Sequence, residues 1–178
     1  PRAAQAIDLA DVANPSPQVD LAPYLAGLQT NEREVQIERP DSHTAVRTTM
    51  TLKALGPGPS FRWVAVGFTN SSPEPRTVIV SMPFQGFSGS RLLNPRYAGP
   101  KIYNVVSGGE LEIQSLAIPA DNAFLFTLKP QQTAAIAFEM TGGDIPRLTM
   151  WQREAFDARK DWLSFFRGAL LGVAALLM

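Results

Sequence analysis

Between positions 44 and 151, clusters of glycine and proline interrupt the chain at intervals of roughly 8 to 14 residues. Few of those intervals hold an ordinary helix, but each holds a strand of about five or six residues. The first segment shows the pattern most clearly. Val46, Thr48, Met50, Leu52 and Ala54 share one face, and Arg47, Thr49, Thr51 and Lys53 the other. That period of two is a half-buried strand. Gly56-Pro57-Gly58-Pro59 then breaks the chain. Residues 61–70 are apolar on both faces, which suits a central strand, with Trp63 in the core. Further strands are expected at 76–82, 102–106, 110–116, 123–129, 133–140 and 147–151. Phe124, Phe126, Leu128, Ile136 and Phe138 are available for the core, and Ser107-Gly108-Gly109 predicts a hairpin between its two flanking strands. Upstream, residues 19–28 suggest a short strand and then a helical turn opened by Pro23. Residues 31–42 suggest a loop with a short strand at 35–38. Eight or nine such strands predict an all-β fold, an antiparallel sandwich of jelly-roll or immunoglobulin-like type.

After Trp151 the pattern changes. No proline follows Pro146, so residues 151–178 can form one helix. Its first part is polar: Arg153, Glu154, Asp157, Arg159, Lys160 and Asp161. Trp162, Phe165, Phe166 and Arg167 come next, the aromatic and cationic types that anchor a helix at a membrane interface. Residues 168–178 then carry no charge. That run is apolar on every side, whereas an ordinary core helix keeps a polar face. It is shorter than the roughly 20 residues a span requires. The expectation is therefore that the chain stops partway through a first transmembrane helix. The alternative is a helix buried in the domain's own core. Trp151 is expected to pack where the last strand meets the helix.

Ala4-Gln5-Ala6 has the small-x-small form of a signal-peptidase site. With a membrane helix downstream, this predicts export to a bacterial periplasm. The chain therefore divides into an extended lead-in after signal cleavage at 1–17, a periplasmic sandwich at 18–151, and a juxtamembrane helix leading into the membrane at 152–178. Composition narrows the function. Sixteen basic residues balance sixteen acidic ones, without the positive face that phosphate binding needs, so nucleic acid is not an expected partner. The absence of cysteine rules out disulfides, thiolate metal sites and cysteine nucleophiles, and one histidine rules out multi-histidine metal sites.

Catalytic motifs are sparse. His43 follows Asp41 and Ser42, but residues two apart in a loop rarely form a working dyad, and an exposed loop histidine is the simpler reading. No Gly-x-Ser-x-Gly, Walker loop or HExxH pattern occurs. Gly142-Gly143-Asp144 reads as a turn. Neither a cofactor nor a metal is expected, and no residue is assigned a catalytic role. The remaining candidate is the loop 83–100, whose Phe84, Gln85, Phe87, Arg91, Arg96 and Tyr97 are the side-chain types of a sugar- or carboxylate-binding surface. The same aromatics could instead tuck beneath the sandwich.

The order of these features resembles a known family. Arg147-Leu148-Thr149-Met150-Trp151 closes the sandwich, and a polar helical bridge leads to Phe165-Phe166-Arg167-Gly168-Ala169-Leu170-Leu171-Gly172. This is similar to the extracytoplasmic sensory domain of bacterial seven-transmembrane receptors with diverse intracellular signalling modules. Phe61 to Ser71 resembles that family's aromatic-rich strand leading into an Asn-containing turn, Arg76-Thr77-Val78-Ile79-Val80 the strand after it, and residues 19–25 the lead-in. The resemblance implies a carbohydrate-binding-like jelly roll that senses a small molecule or carbohydrate. It implies a location in the periplasm on an inner-membrane protein, and output through a cyclic-di-GMP enzyme or kinase outside this chain. It also implies a homodimer. The alternative function is a membrane-anchored, non-catalytic carbohydrate- or surface-binding module.

Overall fold

The computed structural model describes residues 7–39, 48–83, 102–108, 111–118, 121–141 and 147–176. Among them are twelve strands: β1 Leu9–Asp11, β2 Gln18–Asp20, β3 Leu25–Thr30, β4 Glu34–Arg39, β5 Thr48–Lys53, β6 Phe61–Thr69, β7 Arg76–Pro83, β8 Ile102–Gly108, β9 Gln114–Ile118, β10 Asp121–Leu128, β11 Thr133–Met140 and β12 Thr149–Gln152. A 3-10 turn at Ala22–Tyr24, with Pro23 in its first positions, separates β2 from β3. One helix, α1 Arg153–Leu176, follows β12 directly.

Ten strands form two facing sheets. In the first, β6 lies between β11 on one side and both β3 and β1 on the other, and β8 flanks β11. The second runs β2-β12-β7-β10-β9. All pairings are antiparallel except that of β1 with β6. One edge of β6 serves two partners: residues 61–66 pair with β3 and residues 67–69 with β1. The extended lead-in thus supplies a strand. Gly67 makes this docking close, since a Cβ there would stand 2.6 Å from Leu9 Cδ2 and 3.1 Å from the Asp8 carbonyl oxygen.

The core between the sheets follows the period of two. Val64, Val66 and Phe68 of β6 and Ala134, Ile136, Phe138 and Met140 of β11 meet Val78, Val80 and Met82 of β7 and Phe124, Phe126 and Leu128 of β10. Phe68 stacks on Phe126 and Phe124 on Phe138, with ring centroids 5.0 and 5.3 Å apart. The opposite faces of β6 and β11 are also buried. The β4–β5 hairpin covers them, laying Met50, Leu52 and Ala54 over Phe61, Trp63, Ala65, Ala135 and Ala137. This explains why residues 61–69 are apolar on both faces. On the outer face of the second sheet, Phe156 of α1 packs on Ile79 and Ala123. The molecule is therefore a β-sandwich with a hairpin on one outer face and the helix root on the other.

One expectation is overturned. The strands flanking Ser107-Gly108-Gly109 do not pair with each other: β8 joins β11 in the first sheet, and β9 joins β10 in the second. The chain crosses between sheets at this point. Leu111 dips into the inter-sheet core, and the Ser107 hydroxyl donates to the Leu111 carbonyl at 3.1 Å. A glycine-rich turn lets the chain change direction; which strand it then pairs with is decided by where its apolar side chains can be buried. Among the described residues, no helix is long and apolar enough to cross a membrane.

Candidate functional site

Along β11 the inward residues are Ala134, Ile136, Phe138 and Met140, and the outward row runs Thr133, Ala135, Ala137. The fourth outward position is Glu139, a carboxylate only 1 % exposed. Burying an ionised carboxylate is costly unless hydrogen bonds replace its water. Here the backbone supplies them: Gly56 N–H donates to Oε1 and Leu55 N–H to Oε2, both at 2.8 Å. The loop after β5 is thereby pinned to the end of the first sheet. Gly56 is needed for this approach, because a Cβ would lie 2.9 Å from Glu139 Oε1 and 3.0 Å from Tyr103 Cδ2.

A cleft of about 320 Å³ opens beside this carboxylate. Gln29 from β3, Ser60 and Arg62 at the start of β6, Tyr103 from β8, and Glu139 and Thr141 at the end of β11 supply its polar groups. The Gln29 amide donates to the Ser60 hydroxyl at 3.4 Å. Asn104, next to Tyr103, donates its side-chain amide to the Lys53 carbonyl at 3.0 Å, tying β8 to the hairpin. Tyr103 is 38 % exposed and presents an aromatic surface at the cleft. A carboxylate, a guanidinium, an amide, two hydroxyls and a phenol around one small opening suit a polar ligand with several hydrogen-bonding groups.

The other end of the sandwich is held by a polar network of a different kind. Asn70 is fully buried, and its amide donates to the carbonyls of Glu74, Leu128 and Lys129 at 2.8, 3.1 and 3.1 Å. Its oxygen accepts from the Ser72 N–H and hydroxyl. The Asn-containing turn thus joins the β6–β7 and β10–β11 connections, a packing role. Beside it, the Asp11 carboxylate accepts from the Ala13 and Ser71 N–H groups and the Ser71 hydroxyl. Burial acts to raise the Asp11 pKa, but these three hydrogen bonds outweigh it and hold the group below the ordinary carboxylate value.

The root of α1 is the third organised region. Trp151 N–H donates to the Ser81 hydroxyl at 2.9 Å, its ring meets Phe156 edge-on at 6.1 Å, and the Arg159 guanidinium lies over it at 5.0 Å. Gln152 donates through its side chain to the Asn14 carbonyl at 2.9 Å, and through its backbone to the Pro17 carbonyl at 3.1 Å. Trp151 therefore packs at the strand–helix junction, as expected.

Of the anticipated site residues, Phe84, Gln85, Phe87, Arg91, Arg96 and Tyr97 lie outside the described residues, as do Asp41, His43 and Asp144. Trp162 and Phe165 are on α1 and exposed at 61 and 74 %. Phe166 and Arg167 also fall within α1, but their side chains lie outside the description. The cleft residues went unnoticed in the sequence. One signal was available: Glu139 is the single charged residue of β11, and every residue of that strand is buried. Among the described residues, no group of three or more His, Cys, Asp or Glu side chains converges to hold a metal ion. Comparison with protein-family models, with curated proteins and with solved structures finds no match to this chain.

Proposed function

We propose that this chain is the extracytoplasmic ligand-sensing part of a bacterial transmembrane signalling receptor, of the seven-transmembrane type it resembles. The observation that carries the reading is the loopless passage from β12 into α1, with the helix root fastened to the second sheet by Phe156, Trp151 and Arg159. A change in the pose of β7 and β12 has no slack segment in which to dissipate before it reaches the helix. The helix is about 36 Å long at 1.5 Å per residue, and among its described side chains Phe156 in the first turn packs on the sandwich. The apolar run at 168–178 is the part assigned to the membrane, and Glu139, Tyr103 and Arg62 offer a place for a ligand. The ligand would have to bind two poses with different affinity, since equal affinity shifts no equilibrium. The reading assigns no catalysis to this chain, and leaves a cyclic-di-GMP enzyme or kinase as an output elsewhere in the protein.

The alternative is an anchored, non-catalytic carbohydrate- or surface-binding module. The cleft's polar lining and exposed Tyr103 favour it as much as they favour a sensor. Reading the coding sequence beyond Met178 separates the two. The sensor requires further hydrophobic segments followed by a signalling domain. A stop soon after one completed helix removes the receptor and leaves the module.

A further inference from the structure

Two of the described residues that line the cleft are charged, Arg62 and Glu139, and their charges sum to zero. They do not pair with each other. Among the described residues, no hydrogen bond or ion pair engages the Arg62 guanidinium, and the Glu139 oxygens accept instead from the Leu55 and Gly56 amides. Strand geometry explains the separation. Arg62 stands opposite Met140 and Gln29, in the inward row of β6 that continues with Val64, whereas Glu139 belongs to the outward row of β11. The cleft at the end of the sheet reaches both. Nearby Arg33 is engaged elsewhere: its guanidinium lies over the Phe61 ring at 5.1 Å, and it does not line the cleft.

Tyr103 stands at the carboxylate end. Asn104 faces Glu139 and Ile102 faces Met140, so Tyr103 is the extra residue of a bulge in β8. A bulge re-aims its side chain. Here the Tyr103 ring and Glu139 Oε1 come within 3.0 and 2.9 Å of one point, the place a Cβ on Gly56 would occupy. A partly exposed aromatic ring beside a buried, weakly screened carboxylate attracts a cation. A half-buried guanidinium with unengaged N–H groups takes a carboxylate through two parallel bonds.

We infer that the cleft binds a small zwitterion of the α-amino-acid type, its carboxylate on Arg62 and its ammonium on the Tyr103 ring, where the Glu139 charge favours it. The inference rests on the reading of this cleft as the ligand site, and adds the ligand's class. Other classes match the two charges less well. A phosphate brings a second negative charge toward Glu139, a simple amine meets Arg62, and a neutral sugar leaves the guanidinium charge unmatched.

The intact chain is to be titrated by calorimetry with the common L-amino acids and, separately, with neutral monosaccharides. At least one amino acid is expected to bind. Its carboxamide and its N-acetyl derivative, each lacking one charge, should bind about tenfold more weakly or worse. Arg62→Gln should remove the preference over the carboxamide, and Tyr103→Leu should reduce the preference over the N-acetyl derivative. Neither side chain holds a hydrogen bond among the described residues, so neither change orphans a partner. The comparison of analogues on the parent chain tests the class even if a variant fails to fold. Binding of no amino acid, or equal binding of an amino acid and its two derivatives, overturns the inference. A monosaccharide that binds alone, and is lost in Tyr103→Leu, overturns the class while keeping the cleft as the ligand site. Amino-acid binding indifferent to both variants overturns the inference and the reading of the cleft together.

Discussion

Asp11 sits where the lead-in strand meets the β6–β7 turn, and its three hydrogen bonds are all made to the ionised form. Because its folded-state pKa is depressed, its contribution to stability is complete above the unfolded-state value of about 3.9 and is lost as pH falls through the lower folded value. Asp11→Asn is accordingly expected to melt below the parent at neutral pH, with the difference shrinking as the pH is lowered into the acid range. Parallel thermal melts across a pH series check this, and a difference independent of pH would refute it. Asn70 and Glu139 are also held by backbone groups, but neither partner set can be read from sequence. The carbonyls of Leu128 and Lys129 are 58 and 59 residues from Asn70, and the Gly56 amide is 83 from Glu139. Nothing local marks Glu139 except that it is an acid in an apolar strand.

At the scale of elements, the strand pattern was largely legible. Eight of the strands, from β5 to β12, follow alternation or apolar runs bounded by turn residues, and the period of two named the core phenylalanines. Pairing was less legible, as β8 and β9 show, because a turn motif carries no information about which sheet has room for the next apolar row. The junction of β12 with α1 rests on Phe156, 3 % exposed against Ile79 and Ala123. Removing a buried phenylalanine ring costs about 3 kcal/mol or more. Phe156→Ala should release the helix root while the inter-sheet core, to which Phe156 does not belong, remains folded. Limited proteolysis is expected to cut the variant within α1 and leave the sandwich intact. Simultaneous digestion of both would show that the helix root is not an independent unit.

At the scale of the molecule, the described apolar groups divide into three clusters: the inter-sheet core, the hairpin cluster on one side and the helix-root cluster on the other. Among the described strands the hairpin pairs only with itself, and it is held by side-chain packing and by single bonds such as that from Asn104 to the Lys53 carbonyl. It should open before the sheets do. Leu52→Ala, which removes a side chain 1 % exposed, should cost about 2 to 4 kcal/mol and speed amide exchange in β4 and β5. Exchange in β6 and β11 should accelerate less. Equal acceleration in all four strands would mean that hairpin and sandwich unfold together. The sequence by itself determined that a run of strands gives way to one helix near Trp151, and which faces of the strands are apolar, because backbone periodicity and turn chemistry are local properties. Tertiary structure alone decided that the β4–β5 hairpin is what covers the outer face of β6, that β8 and β9 part company, and that Glu139, Tyr103 and Arg62 line one cleft. Those outcomes depend on which distant segments can bury their apolar surface together, and that is a property of the whole packed chain.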